Sequence, residues 1–269
     1  MAYQRFRKRH EIRLMKQSRF IELDLLRAFA LSVMIMFHIL WDLDYFNIVT
    51  LDDSIYYYAG FFPIIFFVLV GICLSIGYDK HKDNERKLYL HLLFRGVKIF
   101  AFGMLITFVT LFILPSKPIM FGVLHCIGLC IILSILFLRL KRVALLIAPI
   151  FILLGEAVAR VSIASPTYMH FMVGLHQGKM WLSTIDYFPI LPWFGYCLLG
   201  IGLGNLLYTA KKRKFKIPDL SKYLPARVFS RLGKHSLAVY LLHQPVIAGS
   251  MYVYINHSSI YSTLLSYLP

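Results

Sequence analysis

The chain has 269 residues, 59% of them hydrophobic and 16% charged, with a mean hydropathy of +0.68. That composition excludes an ordinary water-soluble domain and indicates an integral membrane protein. The formal charge of +16 does not point to nucleic acid, because the basic residues alternate with apolar stretches instead of gathering in one patch.

A membrane-spanning helix needs about 20 mostly apolar residues. Seven stretches qualify, near 24–44, 57–78, 92–114, 120–138, 143–160, 190–208 and 236–255. The expected fold is therefore all-α: a polytopic membrane helix bundle of about seven transmembrane helices, forming one domain over 1–269 with a basic cytoplasmic or interfacial segment at 1–22. Placing 1–19 inside puts 25 of the 29 lysines and arginines on one side, in that segment and the loops near 79–98, 139–142 and 209–234. Lys117, Arg160 and Lys179 fall on the other. By the positive-inside rule the N-terminus is cytoplasmic, in a multi-pass protein of the plasma membrane. The first apolar run is too long, and lacks the small-residue site, for a cleaved signal peptide.

The N-terminal segment mixes basic residues with Phe6, Ile12, Leu14, Met15 and Phe20, a composition suited to the anionic inner leaflet, so membrane lipids are expected partners. The first helix, "LDLLRAFALSVMIMFHILWDLDYF", carries Asp24, Arg27, His38, Asp42 and Asp44. Rotation of 100° per residue puts Asp24, Arg27, His38 and Asp42 on one stripe about 60° wide, with Arg27 and His38 roughly 16 Å apart along the axis. An ionisable group in a span costs at least ~2.5–3.5 kcal/mol, so the stripe must face the bundle or a wet cavity and marks a functional site. Asp44, at the outer end, reads as a headgroup residue. Four residues separate His38 from Asp42, the spacing at which a carboxylate orients an imidazole and makes it a general base or nucleophile.

Gly71, Gly77 and Gly103 in the second and third spans read as close packing. "FGVLHCIGL" places His125 near the outer start of the fourth, where Gly122 and Gly128 permit close helix approach. Residues 161–189 form one long outer loop, a length that favours function. "TIDYFPILPWFGYCLLGIGLG" then brings Asp186 and Trp193 to the outer mouth of the sixth span as candidate substrate contacts. The basic inner loop at 211–235 contains Pro218 and Pro225, which break any continuous helix there. "RLGKHSLAVYLLHQP" opens the last span, with His235 and Ser236 inside and His243 and Gln244 near mid-membrane. Cys73, Cys126, Cys130 and Cys197 lie in predicted spans without C-x-x-C spacing, so they read as packing residues, and no metal site is expected.

The segments "ELDLLRAFALSVMIMFHILWDL", "GVLHCIGL", "DYFPILPWFGYCLLGIGLG" and "RLGKHSLAVYLLHQP" together resemble bacterial and archaeal relatives of heparan-alpha-glucosaminide N-acetyltransferase, over nearly the whole chain. They are also similar to the wider transmembrane acyltransferase superfamily, whose first helix carries a basic residue, ten residues, then His; Arg27 and His38 have that spacing. The resemblance implies that an acyl-CoA, expected to be acetyl-CoA, enters from the cytoplasm and that its acyl group passes to a sugar or glycan hydroxyl or amine on the outer side. It implies a catalytic role for His38 and a donor-binding role for Arg27. Asp42, from spacing, is the orienter. Asp24, His235 and Ser236 join the donor site; His125, Asp186, Trp193, His243 and Gln244 form the acceptor side. The lysosomal relatives have Asn at the position of His38 and their catalytic His eleven residues later, where this chain has Val49.

Two readings from other classes remain open at this stage. His38, His91, His125 and His243 lie in spans, and paired histidines can ligate a b-type haem. The stripe on the first helix also suits a proton-coupled transporter, although no internal repeat is visible. Acyl chain, acceptor and oligomeric state, a homodimer included, are left open by the sequence.

Overall fold

The computed structural model describes residues 20–256 apart from 53, 56–57, 59, 82–83, 178–183 and 210–211. Most of the basic segment expected at 1–22 lies outside the described residues. Among those described, the α-helices in chain order are α1 (Ile21–Tyr45), α2 (Phe62–His81), α3 (Glu85–Ile113), α4 (Val123–Phe137), α5 (Ala144–Ala159), α6 (Tyr168–Val173), α7 (Ile190–Leu207), α8 (Leu224–Lys234) and α9 (Ser236–Ile255). Short 3-10 turns occupy Leu138–Val143 and Leu220–Lys222, and the extended contacts are isolated bridges only.

Five segments are long and apolar enough to cross a membrane: Ile21–Tyr45, Phe62–His81, Glu85–Ile113, Val123–Ala159 and Ile190–Leu207. The protein is thus a multi-pass, all-helical membrane protein. The difference from seven has two causes. The stretches expected at 120–138 and 143–160 form one 37-residue run, turned at Lys141, whose φ of 49° interrupts the helix. The last expected span is a helix of 20 residues, about 30 Å long at 1.5 Å per residue, but Ser236, His243, Gln244 and Ser250 dilute its apolar character. α3 begins earlier than its apolar run because Asn84 caps it, accepting from the Lys87 N–H at 3.2 Å.

The described residues divide into two compact units, one within Phe67–Ile217 and the other within Arg19–Phe66 and Pro218–Pro269. In the first, α3 packs on α4, α5 on α7, and α4 on α7. Glycine decides how closely. A Cβ on Gly71 would strike the Cys197 carbonyl, and one on Gly200 the Val68 carbonyl, so α2 and α7 touch backbone to backbone. Phe121, Ile131, Phe194, Leu198 and Ile201 fill the core beside Cys126, Cys130 and Cys197. None of the four cysteines is in a disulfide among the described residues.

In the second unit α1 packs against α8 and α9. Its buried residues include Asp24, Ala28, Leu31 and Asp42, which fall within about 60° of one another on a helical wheel. The polar stripe read from the sequence is therefore the inward face of α1. The segment whose prolines were expected to break any continuous helix contains one: α8 forms with Pro225 in its first turn, where a missing N–H costs nothing. Gly233 of α8 lies so near the Asp24 carbonyl that a Cβ there would collide with it.

Candidate functional site

In the second unit the polar residues fall into two groups along α1. At the start of the helix Asp24 and Arg27 form an ion pair one turn apart. Asp24 is 5% exposed and the Arg27 side chain 25%, so the carboxylate is the buried anchor and the guanidinium reaches outward. The Gly233 contact brings the junction of α8 and α9 to this end of α1. His235 caps the end of α8 and precedes Ser236, the first residue of α9. Asp24, Arg27, His235 and Ser236, singled out together from the sequence, thus share one end of this unit.

Further along α1, the second group joins it to α9. Gln244 Nε2 donates to both Asp42 carboxylate oxygens, at 2.9 and 3.0 Å, and Asp42 is 2% exposed. A carboxylate can only accept, so the amide nitrogen must be the atom facing it, and Gln244 Oε1 faces away. That oxygen is buried without a hydrogen-bond partner. One turn back, the rings of His38 and His243 lie 4.9 Å apart, tilted by 57°. Spacing along α1 suggests Asp42 as the partner of His38; the geometry gives Asp42 to Gln244 and sets His38 against His243. Both are cross-helix pairs, which is how a bundle satisfies polar groups in its interior. The His38 and His243 rings are in contact, leaving no room for a porphyrin plane between them.

The remaining candidates belong to the first unit. His125 is 1% exposed. Its Nδ1 accepts from the Gly122 N–H at 3.2 Å, and its Nε2 lies 3.3 Å from Thr107 Oγ1. That hydroxyl spends its proton on the Ile119 carbonyl at 2.6 Å, so it accepts from His125, which is held as the Nε2–H tautomer with both nitrogens used. Gly103 makes room for the ring, since a Cβ there would meet it at 2.8 Å. Asp186 Oδ2 accepts from the Val123 N–H at 3.1 Å, where a carboxylate satisfies an orphan donor and favours the positive end of the helix dipole. Its apolar surroundings nevertheless push the carboxyl up to about 6, against the opposing pull of that N–H. Trp193 packs with Phe67, Phe188 and Tyr196.

His125 and Asp186 therefore secure the start of α4, which the sequence reading of both as acceptor contacts did not anticipate. Thr107 and Gly103, which fix the His125 ring, were not recognisable as partners, because nothing in a single sequence links positions 18 and 22 residues away. Among the described residues no group of three or more His, Cys, Asp or Glu side chains converges in a way that could hold a metal ion.

Residues 19–245 match the family described as heparan-alpha-glucosaminide N-acetyltransferase, catalytic. No curated protein and no solved structure gives a significant match. The matched span includes both groups on α1, the start of α4, and α9 as far as Pro245.

Proposed function

The chain belongs to the heparan-alpha-glucosaminide N-acetyltransferase catalytic family, and from that premise we propose that this membrane enzyme takes the acetyl group of cytoplasmic acetyl-CoA. It passes that group to a sugar or glycan amine or hydroxyl at the outer face of the plasma membrane. The observation that carries the reading is the α1 stripe: an arginine anchored by a buried carboxylate at one end and, eleven residues on, a histidine in contact with a second histidine.

The division of labour follows from the chemistry of each group. Arg27, oriented by Asp24, presents a planar guanidinium whose geometry suits the phosphates of the donor, and His235 and Ser236 at the same end add polar contacts. The long, thin pantetheine arm bridges the roughly 16 Å from Arg27 to His38. His38 then acts on the thioester, either as the base that takes the acceptor's proton or as the nucleophile that carries the acetyl group. In either case the C–S bond breaks, a new C–N or C–O bond forms, and the proton released by the acceptor ends on the CoA thiol. No hydrogen bond from a protein group to His38 is recorded among the described residues, which leaves its ring nitrogens available. Asp42 and Gln244 hold α9 beside the reacting histidine, and Gln244 Oε1 offers an acceptor for an incoming amine or hydroxyl. In this scheme His125 and Asp186 keep the entrance of α4 in shape within their own unit.

The test is release of free CoA from acetyl-CoA by purified protein in detergent, with glucosamine as the probe acceptor. Wild-type protein that neither binds acetyl-CoA nor releases CoA would refute the proposal.

A further inference from the structure

The ring of His243 is oriented more tightly than that of His38. Its Nδ1 lies 2.5 Å from the Tyr240 carbonyl, on the preceding turn of the same helix. A carbonyl oxygen can only accept, so Nδ1 carries the proton. In the neutral ring Nε2 then holds a lone pair. That Nε2 is buried and has no hydrogen-bond partner. An unmet buried acceptor is unfavourable; such an atom, beside a second histidine, is a place for a proton that arrives with substrate.

Resting on the acetyltransfer reading above, we infer that His243 is a catalytic base and that the two histidines divide the reaction. His38 cedes the base role, and its ring N–H donates to the acetyl carbonyl oxygen and polarises it. His243 Nε2 takes the proton from the acceptor amine or hydroxyl as its lone pair forms the new bond to the carbonyl carbon. The electrons of the C–S bond leave with the sulfur, and the proton held on His243 is then delivered to the CoA thiolate, which restores the neutral Nδ1–H ring. No oxidant or further reactant is needed. Among the described residues His38 lies against the His243 ring from α1 and Tyr240 from its own helix, 5.5 Å between centroids, while Asp42, bound to Gln244, is one turn along α1 from His38.

The experiment compares wild-type protein with His243→Gln and His243→Ala, following acetyl-CoA binding and CoA release with glucosamine across pH. The expected result is a loss of turnover of about 100-fold or more at unchanged acetyl-CoA affinity, disappearance of the acid limb of the rate profile, and partial rescue of His243→Ala by imidazole. Turnover within about threefold of wild type in a folded variant overturns the assignment while leaving the acetyltransfer reading intact. A wild type that does not use acetyl-CoA removes both. If the variants do not fold, nitrogen-15 spectra of histidine-labelled wild type decide: a protonated Nδ1 and unprotonated Nε2 on His243 are expected, and the opposite tautomer overturns the inference.

Discussion

Asp42 and Gln244 stand 202 positions apart in the chain and are joined by two hydrogen bonds, one to each carboxylate oxygen. This pair ties the first helix to the last within their unit, and the contact of His38 with His243 lies one turn away along the same seam.

Removing one member should expose how much the pair contributes. In Gln244→Leu the 2% exposed carboxylate of Asp42 loses its donor, and a hydrogen bond to a buried charged group is worth about 1.5–3 kcal/mol. A fall of several degrees in thermal midpoint is expected. Asp42→Asn in the Gln244→Leu background should recover part of it, because an uncharged amide is cheaper to bury. A double-mutant cycle read by thermal unfolding in detergent gives the coupling; additive effects would show that the pair carries no energy.

The Asp24–Arg27 end of the same helix should govern the donor alone. Arg27→Ala is expected to raise the KM for acetyl-CoA about tenfold, the size of one lost charge-assisted contact, with a smaller change in kcat. Equal loss in kcat at saturating donor would place Arg27 in the chemical step and contradict its assignment.

Gly233→Ala tests the close approach that assembles that end. The new Cβ would collide with the Asp24 carbonyl, and overpacking of this kind costs about 1–3 kcal/mol. Lower thermal stability together with weaker acetyl-CoA binding is expected, and wild-type values of both would show that α8 can move away freely.

The sequence carried a large part of this architecture. Each of the seven apolar stretches holds a helix, and five segments are long and apolar enough to cross a membrane, where a helix satisfies its own backbone. The inward stripe on α1 was legible too, since Asp24 and Asp42 are a whole number of turns apart. What remained hidden was the partner of each polar residue. Spacing offers only neighbours on the same helix, so Asp42 appeared to belong to His38; Gln244, in a distant helix, could be connected to it only by depth. His125 shows the opposite limit. Its position at the start of an apolar stretch suited a substrate contact, yet its two nitrogens are consumed by Gly122 and Thr107, and no periodicity distinguishes a cap from a contact.

His125→Leu should accordingly act through stability. It leaves the Gly122 N–H without its partner inside a buried helix start, a penalty of about 1–3 kcal/mol. The thermal midpoint is expected to fall while the KM for donor in the surviving folded fraction stays near wild type. A specific rise in acceptor KM without loss of stability would return His125 to substrate contact.

Asp186 predicts a pH signature. Its carboxyl is raised from 3.8 to about 6, so between those values the folded protein binds the proton more tightly than the unfolded chain. Stability from this group is therefore greatest below about pH 4, falls as pH rises towards 6, and is constant above. Asp186→Asn, whose side-chain carbonyl still accepts from Val123, should be stabilised relative to wild type above pH 6 and lose that advantage towards pH 4. A difference in thermal midpoint that does not vary with pH would contradict the shift.

The most direct measurement of the whole account is CoA release from radiolabelled acetyl-CoA by purified wild-type and His38→Ala protein, with acetyl-CoA binding measured on the same samples. Release by wild type that is abolished in His38→Ala at unchanged binding is the predicted result. Release that persists in His38→Ala would contradict the placement of the chemistry on the first helix.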